Sequence, residues 1–529
     1  MHPVLCGLAA NPALPGELVD QLIGLAGVEV AEVLADRADL SRAQAVALAL
    51  RVPDTAVQLA HKTRLTCADV DPETRPDAAL ALLDEGAGTP EWARRFATDP
   101  VVEHREKLAA CPDLPPDVVE TLASDADVRV VTELALWAPP ETAARLAAHP
   151  HAEVRSAVAA NERTPPAVLA ALITGADLPP ARGCLVCDRE RIPFRHDPNC
   201  PRTDCDLPPN ASCDGSHEST LHNMYARALQ NPATPAAAAI AFADHPSTLL
   251  RRLLAARPGL PPAVYERLAR DPAPGVRAEL AENAGLDEPL IRALATDRSD
   301  DVQRGLAHHP HVPLDVLADL TGATRIGPTL LPRIAAATLS EIRELATSPN
   351  PTLRMLVAAR RDLPPEIRDT LATDPDAKVL ASIAPHPGLC DARLRAMTDR
   401  HGARVAAKAA ANPDASPALL HDLTRHQPPV RKALREIARH RNATASALLP
   451  CLADPRARPL AAAHPALPPP TIVELLADAE DHVAEAAATN PSLPPTVMSH
   501  LVSQAHTLAG RGETEDGFPG TGGLPDLAV

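Results

Sequence analysis

An all-α solenoid is the fold this sequence predicts, and three observations predict it. A short motif returns at intervals of about 24–26 residues, aromatic residues make up 2% of the chain, and proline fills 59 of 529 positions. A period in that range marks a stack of small supersecondary units rather than a set of globular domains. Independent compact domains lean on Phe, Tyr and Trp, which carry the largest buried area per side chain. Four Phe, two Tyr and two Trp cannot furnish three or four separate cores. Leu, Ala and Val are spread throughout, within a hydrophobic share of 45%, which excludes a disordered chain.

The first element of each unit is a short helix opened by a proline pair. Leu260-Pro-Pro-Ala-Val-Tyr-Glu-Arg-Leu-Ala-Arg-Asp-Pro272 and Leu363-Pro-Pro-Glu-Ile-Arg-Asp-Thr-Leu-Ala-Thr-Asp-Pro375 show the pattern. Leu114-Pro-Pro and Leu493-Pro-Pro begin the same way. Proline is tolerated at the first helical position, where its missing N–H costs nothing. Apolar residues four apart, Val264 with Leu268 and Ile367 with Leu371, are expected to face inward. An Asp-Pro step ends the helix, because the residue before proline is pushed out of α space. A second short helix follows, as in Gly275–Ala281 and Glu153–Ala159, and Asn-Pro or His-Pro closes the unit. Leu345, Leu371, Met397 and Leu423 are spaced 26 apart, whereas Leu122 to Leu146 is 24. Two helices this short bury a core only when neighbours stack, and small Ala side chains let the layers approach closely.

The pattern Leu-Ala-x-Asp-Pro, Val-Arg-x-x-x-Ala, Asn-Pro-x-Leu-Pro resembles the leucine-rich repeat variant family. That resemblance covers most of residues 1–180 and 222–505 and is weakest around 41–100 and 319–344. It implies repeats that pair an α-helix with a 3₁₀-type helix in a right-handed superhelix. HEAT-like repeats are longer, about 40 residues or more.

Two segments break the period and divide the chain. An N-terminal array over 1–180 and a C-terminal array over 222–507 flank a Cys-rich insert at 181–221, and a disordered tail is expected over 508–529. The insert reads C-x2-C-x12-C-x4-C-x7-C-x3-H through Cys184, Cys187, Cys200, Cys205, Cys213 and His217, with His196 between. A C-x2-C bend lets two thiolates grip one ion, and a second pair completes a tetrahedron. Cys184, Cys187, Cys200 and Cys205 make the simplest set, while Cys213 and His217 can displace a pair of them. Five prolines stiffen a loop with little apolar content, so a metal supplies its order. Zinc is the expected ion, and an iron–sulfur cluster is the rival, since thiolates hold both. Cys213-Asp-Gly-Ser-His217 is identical to the ending of the CDGSH iron–sulfur motif, which implies three Cys and that His around two irons. The motif's upstream cysteines fall here on Arg202 and Asp204, and its proline on Ala211. Leucine-rich repeat variant proteins also carry a Cys-rich iron–sulfur segment, but ahead of their repeats.

The remaining signals are structural. His309, His386 and His464 stand where other units have Asn, and His149 where they have Asp, which is capping and turn behaviour. Arg129, Arg155, Arg277, Arg354 and Arg431 are expected to align on one face, as a ladder of ion pairs or as a stripe for an acidic partner. With 51 basic and 68 acidic residues the net charge is −17, which argues against nucleic acid. No signal peptide and no apolar run of about 18 residues appears. Cysteine usage fits a reducing, cytoplasmic compartment. No phosphate-binding loop, dinucleotide fingerprint or HExxH occurs. The sequence therefore predicts a non-catalytic scaffold for an unidentified protein partner, with a structural zinc. A redox-responsive iron–sulfur protein is its alternative, and a nucleic-acid-binding solenoid with a zinc knuckle is a second.

Overall fold

The computed structural model describes residues 2–189, 194–196, 212–213 and 215–512; Cys200, Cys205 and the segment 513–529 lie outside them. The chain is an all-α repeat solenoid. Among the described residues the only strands are the two-residue pair Phe194–Arg195 and Ser212–Cys213. The 3₁₀ helix that the family resemblance implies occurs once among the described residues, at Ile240–Asp244, and the other short helices there are α-helical. The terminal helix continues to Gly512, so the expected tail at 508 begins in helix. Residues 41–100, where the repeat pattern fades, are also helical, through Arg42–Arg51, Thr55–His61, Pro76–Asp84 and Pro90–Phe96.

One repeat shows how the sequence builds all of them. Helix Pro262–Leu268 starts on a proline and buries Tyr265 and Leu268, while Val264 stays half-buried. Asp271 turns the chain, its Oδ1 accepting the Ala273 N–H at 2.8 Å. Helix Pro274–Ala281 then buries Val276, Leu280 and Ala281 against the matching helices of the neighbouring repeats. Each leucine so buried stabilises the fold by about 2 kcal/mol. Alanines at the helix contacts, such as Ala255, Ala281 and Ala307, are fully buried, which is why aromatics are dispensable.

In most repeats the residue nine positions after the start of the second helix forms a rung to the repeat before it. Asn283 Nδ2 donates to the carbonyls of Ala255 and Arg257, both at 2.7 Å, while its Oδ1 accepts the Gly285 N–H. Asn412 and Asn490 repeat the geometry. Histidine substitutes at His309, His440 and His464, where Nε2–H donates to the carbonyl of the previous rung and Nδ1 accepts a backbone N–H two residues on. Arginine does so at Arg37, Arg257 and Arg360. His149 plays the Asp part of the turn, accepting the His151 N–H at 3.1 Å.

A second ladder uses arginine four residues into the second helix. Arg105, Arg155, Arg251, Arg277 and Arg354 each donate to a carbonyl six residues upstream. Arg105, Arg251 and Arg277 also grip Asp125, Asp271 and Asp297 in the next repeat, holding those carboxyls below the usual range. Two expected members fall outside this register. Arg129 lies two residues into its helix and pairs with Asp127, and Arg431 opens its helix and is largely exposed. Arg105, Arg251 and Arg277 thus spend their charge on an aspartate of the next repeat, as the ion-pair reading of the ladder expects.

The described residues form two compact units, 70–367 and the pair of segments 1–69 with 368–529. Within the second, helix His2–Ala10 packs on helix Asp481–Thr489, and Asn11 Nδ2 donates to the carbonyls of Ala488 and Asn490 at 2.8 and 2.7 Å. Arg37 then reaches the carbonyls of Ala9 and Asn11. The rungs run Asn490, Asn11, Arg37 as they run through Asn231, Arg257, Asn283 and His309. Among the described residues no helix is long and apolar enough to cross a membrane.

The rung histidines make stability depend on pH. Burial pulls the imidazoles of His309 and His464 below the ordinary histidine value. The unfolded chain titrates near about 6.5, so below that pH it binds more protons than the folded one. Stability is therefore complete above about pH 7.5 and declines as pH falls through 6.5. Urea midpoints at pH 7.5 and 5.5, the latter above most carboxylate titrations, are expected to differ, and a His309→Asn/His464→Asn variant should flatten the difference. Equal midpoints for the native chain would refute the argument.

Candidate metal centre

The insert occupies the turn between the two helices of one repeat. Helix Pro166–Thr174 precedes it and helix Glu218–Gln230 follows it. The second of these packs directly on helix Ala152–Ala160, and Asn231 Nδ2 donates to the carbonyls of Ala159 and Asn161 at 3.0 and 2.9 Å. The repeat stack thus continues past the insert, and the compact units part at 69/70 and 367/368 rather than at 181–221.

The insert is stitched to the start of helix Ala152–Ala160. Arg182 N–H donates to Pro150 O and Ala152 N–H to Gly183 O. His151 Nε2 lies 2.8 Å from Asp188 Oδ2, and Thr220 Oγ1 donates to Glu153 at 3.0 Å. Arg155, which would find an aspartate in an uninterrupted array, donates to Pro179 O instead.

Four of the six expected ligands converge there. Cys184 precedes the five-residue helix Leu185–Arg189, which carries Cys187, so the two sulfurs stand 3.6 Å apart. Cys213 lies on the strand pair, paired with Phe194, and its Sγ accepts the Gly215 N–H at 3.4 Å. His217 caps the helix Glu218–Gln230 with φ 56° and ψ 24°, a left-handed conformation that costs a non-glycine residue energy. That backbone aims Nδ1 to 3.5 Å from Cys213 Sγ and 3.8 Å from Cys187 Sγ. All four donor atoms lie within 4.8 Å of one another. Cys184, Cys213 and His217 are buried, Cys187 is half-buried, and Ala152 and Val186 pack around the sulfurs. Burial pushes the Cys184 thiol up to about 12. A dication in the centre would supply the charge that ionises it. Cys200 and Cys205 lie outside the described residues, and His196 is buried.

Spacing alone favoured the first four cysteines. The helix packing explains why Cys213 and His217 come to Cys184: Glu218–Gln230 must lie on Ala152–Ala160, and they sit just before its first turn. A second trio went unnoticed in the sequence. His2 Nδ1 lies 3.0 Å from Glu29 and 3.8 Å from Cys6 Sγ, at the rim of the packing between the chain's first helix and its neighbours. His2 and Cys6 are four apart on one helix, the only signal the sequence offers for it.

No protein-family model matches the sequence, and no curated protein does. Among solved structures the chain is similar to one described as a leucine-rich repeat variant with a novel repetitive protein structural motif, at 20% identity. The match covers 51% of this chain and 87% of that one, with a TM-score of 0.29.

Proposed function

We propose that the chain is a non-catalytic recognition scaffold whose insert is held by one structural zinc ion on Cys184, Cys187, Cys213 and His217. The observation that carries the zinc reading is the set of distances between donor atoms. Tetrahedral zinc, with bonds of about 2.3 Å to sulfur and about 2.0 Å to nitrogen, sets sulfurs roughly 3.8 Å apart and sulfur roughly 3.5 Å from nitrogen. The donor pairs here stand at 3.6, 3.5 and 3.8 Å. A two-iron cluster divides its ligands between two metals, so some donor pairs must stand further apart than the edges of one tetrahedron. Four protein ligands also close the coordination sphere, as in structural rather than catalytic zinc sites. The scaffold reading rests on the stacked repeats, whose usual use is an extended recognition surface.

Elemental analysis of protein purified without oxygen tests the metal. About one zinc per chain is expected, without iron or sulfide. Cys213→Ser should lose the zinc, whereas a Cys200→Ser/Cys205→Ser variant should keep it. Hydrogen exchange should then rise around 181–189 and 215–220 in Cys213→Ser and stay low at Asn231. Stoichiometric iron with sulfide, or zinc that survives Cys213→Ser, would overturn the assignment.

A further inference from the structure

The slip of the period at Leu122–Leu146 has a physical product. From the rung residue to the first residue of the next helix the chain takes five steps at Cys111–Pro116 and five at Asn161–Pro166. Between them it takes three, from Trp137 to Pro140. Trp137 thus stands where a rung belongs, but helix Val128–Trp137 runs through it and the loop that would follow is two residues short. The loops on either side remain full length, and a trench of about 810 Å³ lies between them.

The trench has an apolar floor and a charged rim. Leu114, Val119, Leu134 and Ala138 line the floor, and Trp137 stands at the edge with 57% of its surface exposed and its Nε1 donating to Glu133. Asp113, Glu162 and Arg163 complete the rim, so carboxylates outnumber cations two to one there. Asp113 and Glu162 are exposed and have no ion-pair partner among the described residues. Asp113 and Glu162 therefore leave negative charge at the rim beside the indole. An indole face beside unpaired carboxylates favours a cation, which gains from both the ring and the charges. The apolar floor favours an aliphatic side chain next to it.

We propose that this trench is a docking site for an extended peptide that carries an arginine or lysine flanked by aliphatic residues. The cation lies over Trp137 between Asp113 and Glu162, and an aliphatic neighbour enters the floor over Leu134. This rests on the reading of the array as a recognition scaffold and names the class of partner for one place on it.

The test uses the full chain and three synthetic peptides: Ac-Ala-Leu-Arg-Leu-Ala-NH2, the same with citrulline for arginine, and the same with glutamate. Calorimetry at low salt should give the arginine peptide at least tenfold tighter binding than either analogue. Trp137→Ala, at an exposed position, and Asp113→Asn/Glu162→Gln should each weaken it tenfold or more. Restoring the loop by copying residues 161–165 in place of 137–139 should abolish binding while leaving the urea midpoint unchanged or higher. Equal binding of all three peptides, no binding of the arginine peptide, or an unchanged affinity in Trp137→Ala would overturn the proposal. So would free arginine binding as tightly as the peptide, which would make the site one for a small cation. Peptide binding that survives both Trp137→Ala and the restored loop would place recognition elsewhere on the array, leaving the scaffold reading intact while the trench assignment fails.

Discussion

Replacing Asn490 by leucine is expected to lower the unfolding free energy by about 3–5 kcal/mol. The side chain donates to the carbonyls of Ala462 and His464 and accepts the Ser492 N–H, all at 2.7–2.8 Å, and it is fully buried. Leucine matches its volume but strands three polar groups away from water, each at roughly 1–3 kcal/mol. The sequence supplies its own control, since histidine makes the same bridge at His309, His440 and His464. Asn490→His should therefore stay within about 1 kcal/mol of the native chain, because no polar group is left unpaired. Urea unfolding of the two variants separates a specific rung from a merely polar position. A loss of less than 1 kcal/mol in Asn490→Leu, or an equal loss in both, would show that the rung is not a major stabilising device.

Gly7→Ala is expected to cost about 3 kcal/mol or more and to undock the N-terminal helix. A Cβ at Gly7 would sit 2.1 Å from the carbonyl oxygen of Glu485 and 2.9 Å from Ala488 Cβ, so one helix must move. The obstruction is backbone and an alanine Cβ, neither of which can rotate out of the way. Gly305, at the same place in its repeat, meets Ala278 O at 2.8 Å, which marks the same kind of close approach between successive repeats. Gly24 offers the contrast: nothing lies within 4 Å of its Cβ, and Gly24→Ala in an exposed stretch of helix should gain up to about 1 kcal/mol. Hydrogen exchange over residues 2–37, read beside thermal unfolding, measures the effect. Unchanged protection in Gly7→Ala would mean that the helix does not dock on 481–489 in solution.

The repeats were legible because their signals are local. Proline at the first helical position, Asp-Pro at its end and Asn or His after the second helix each act within a few residues, and the structure keeps all three roles. What the Asn and His side chains reach was not legible, because the carbonyls they bridge belong to the preceding repeat. The arginine ladder shows the same limit. Choosing arginines by the residue before them gathered Arg129 and Arg431, whereas distance from the helix start selects Arg105 and Arg251. At the insert, spacing named the donors but not which of them meet, because a looped-out segment is ordered by the helices on either side of it. Cys213 and His217 join Cys184 and Cys187 through the packing of Glu218–Gln230 on Ala152–Ala160, which no ligand spacing encodes.

The rung from Asn11 to Asn490 spans 479 residues of chain. A ribosome adding roughly 5–20 residues per second needs about half a minute to a minute and a half to make that stretch. Through that interval helix His2–Ala10 has its apolar face made and its partner unmade, while internal repeats find their neighbours within a couple of dozen residues, or 70 where Asn231 reaches Asn161 across the insert. Assembly of the array is therefore sequential and local except at this step. It joins two segments made 479 residues apart, and the interval between them is the time for which helix His2–Ala10 depends on being shielded during synthesis.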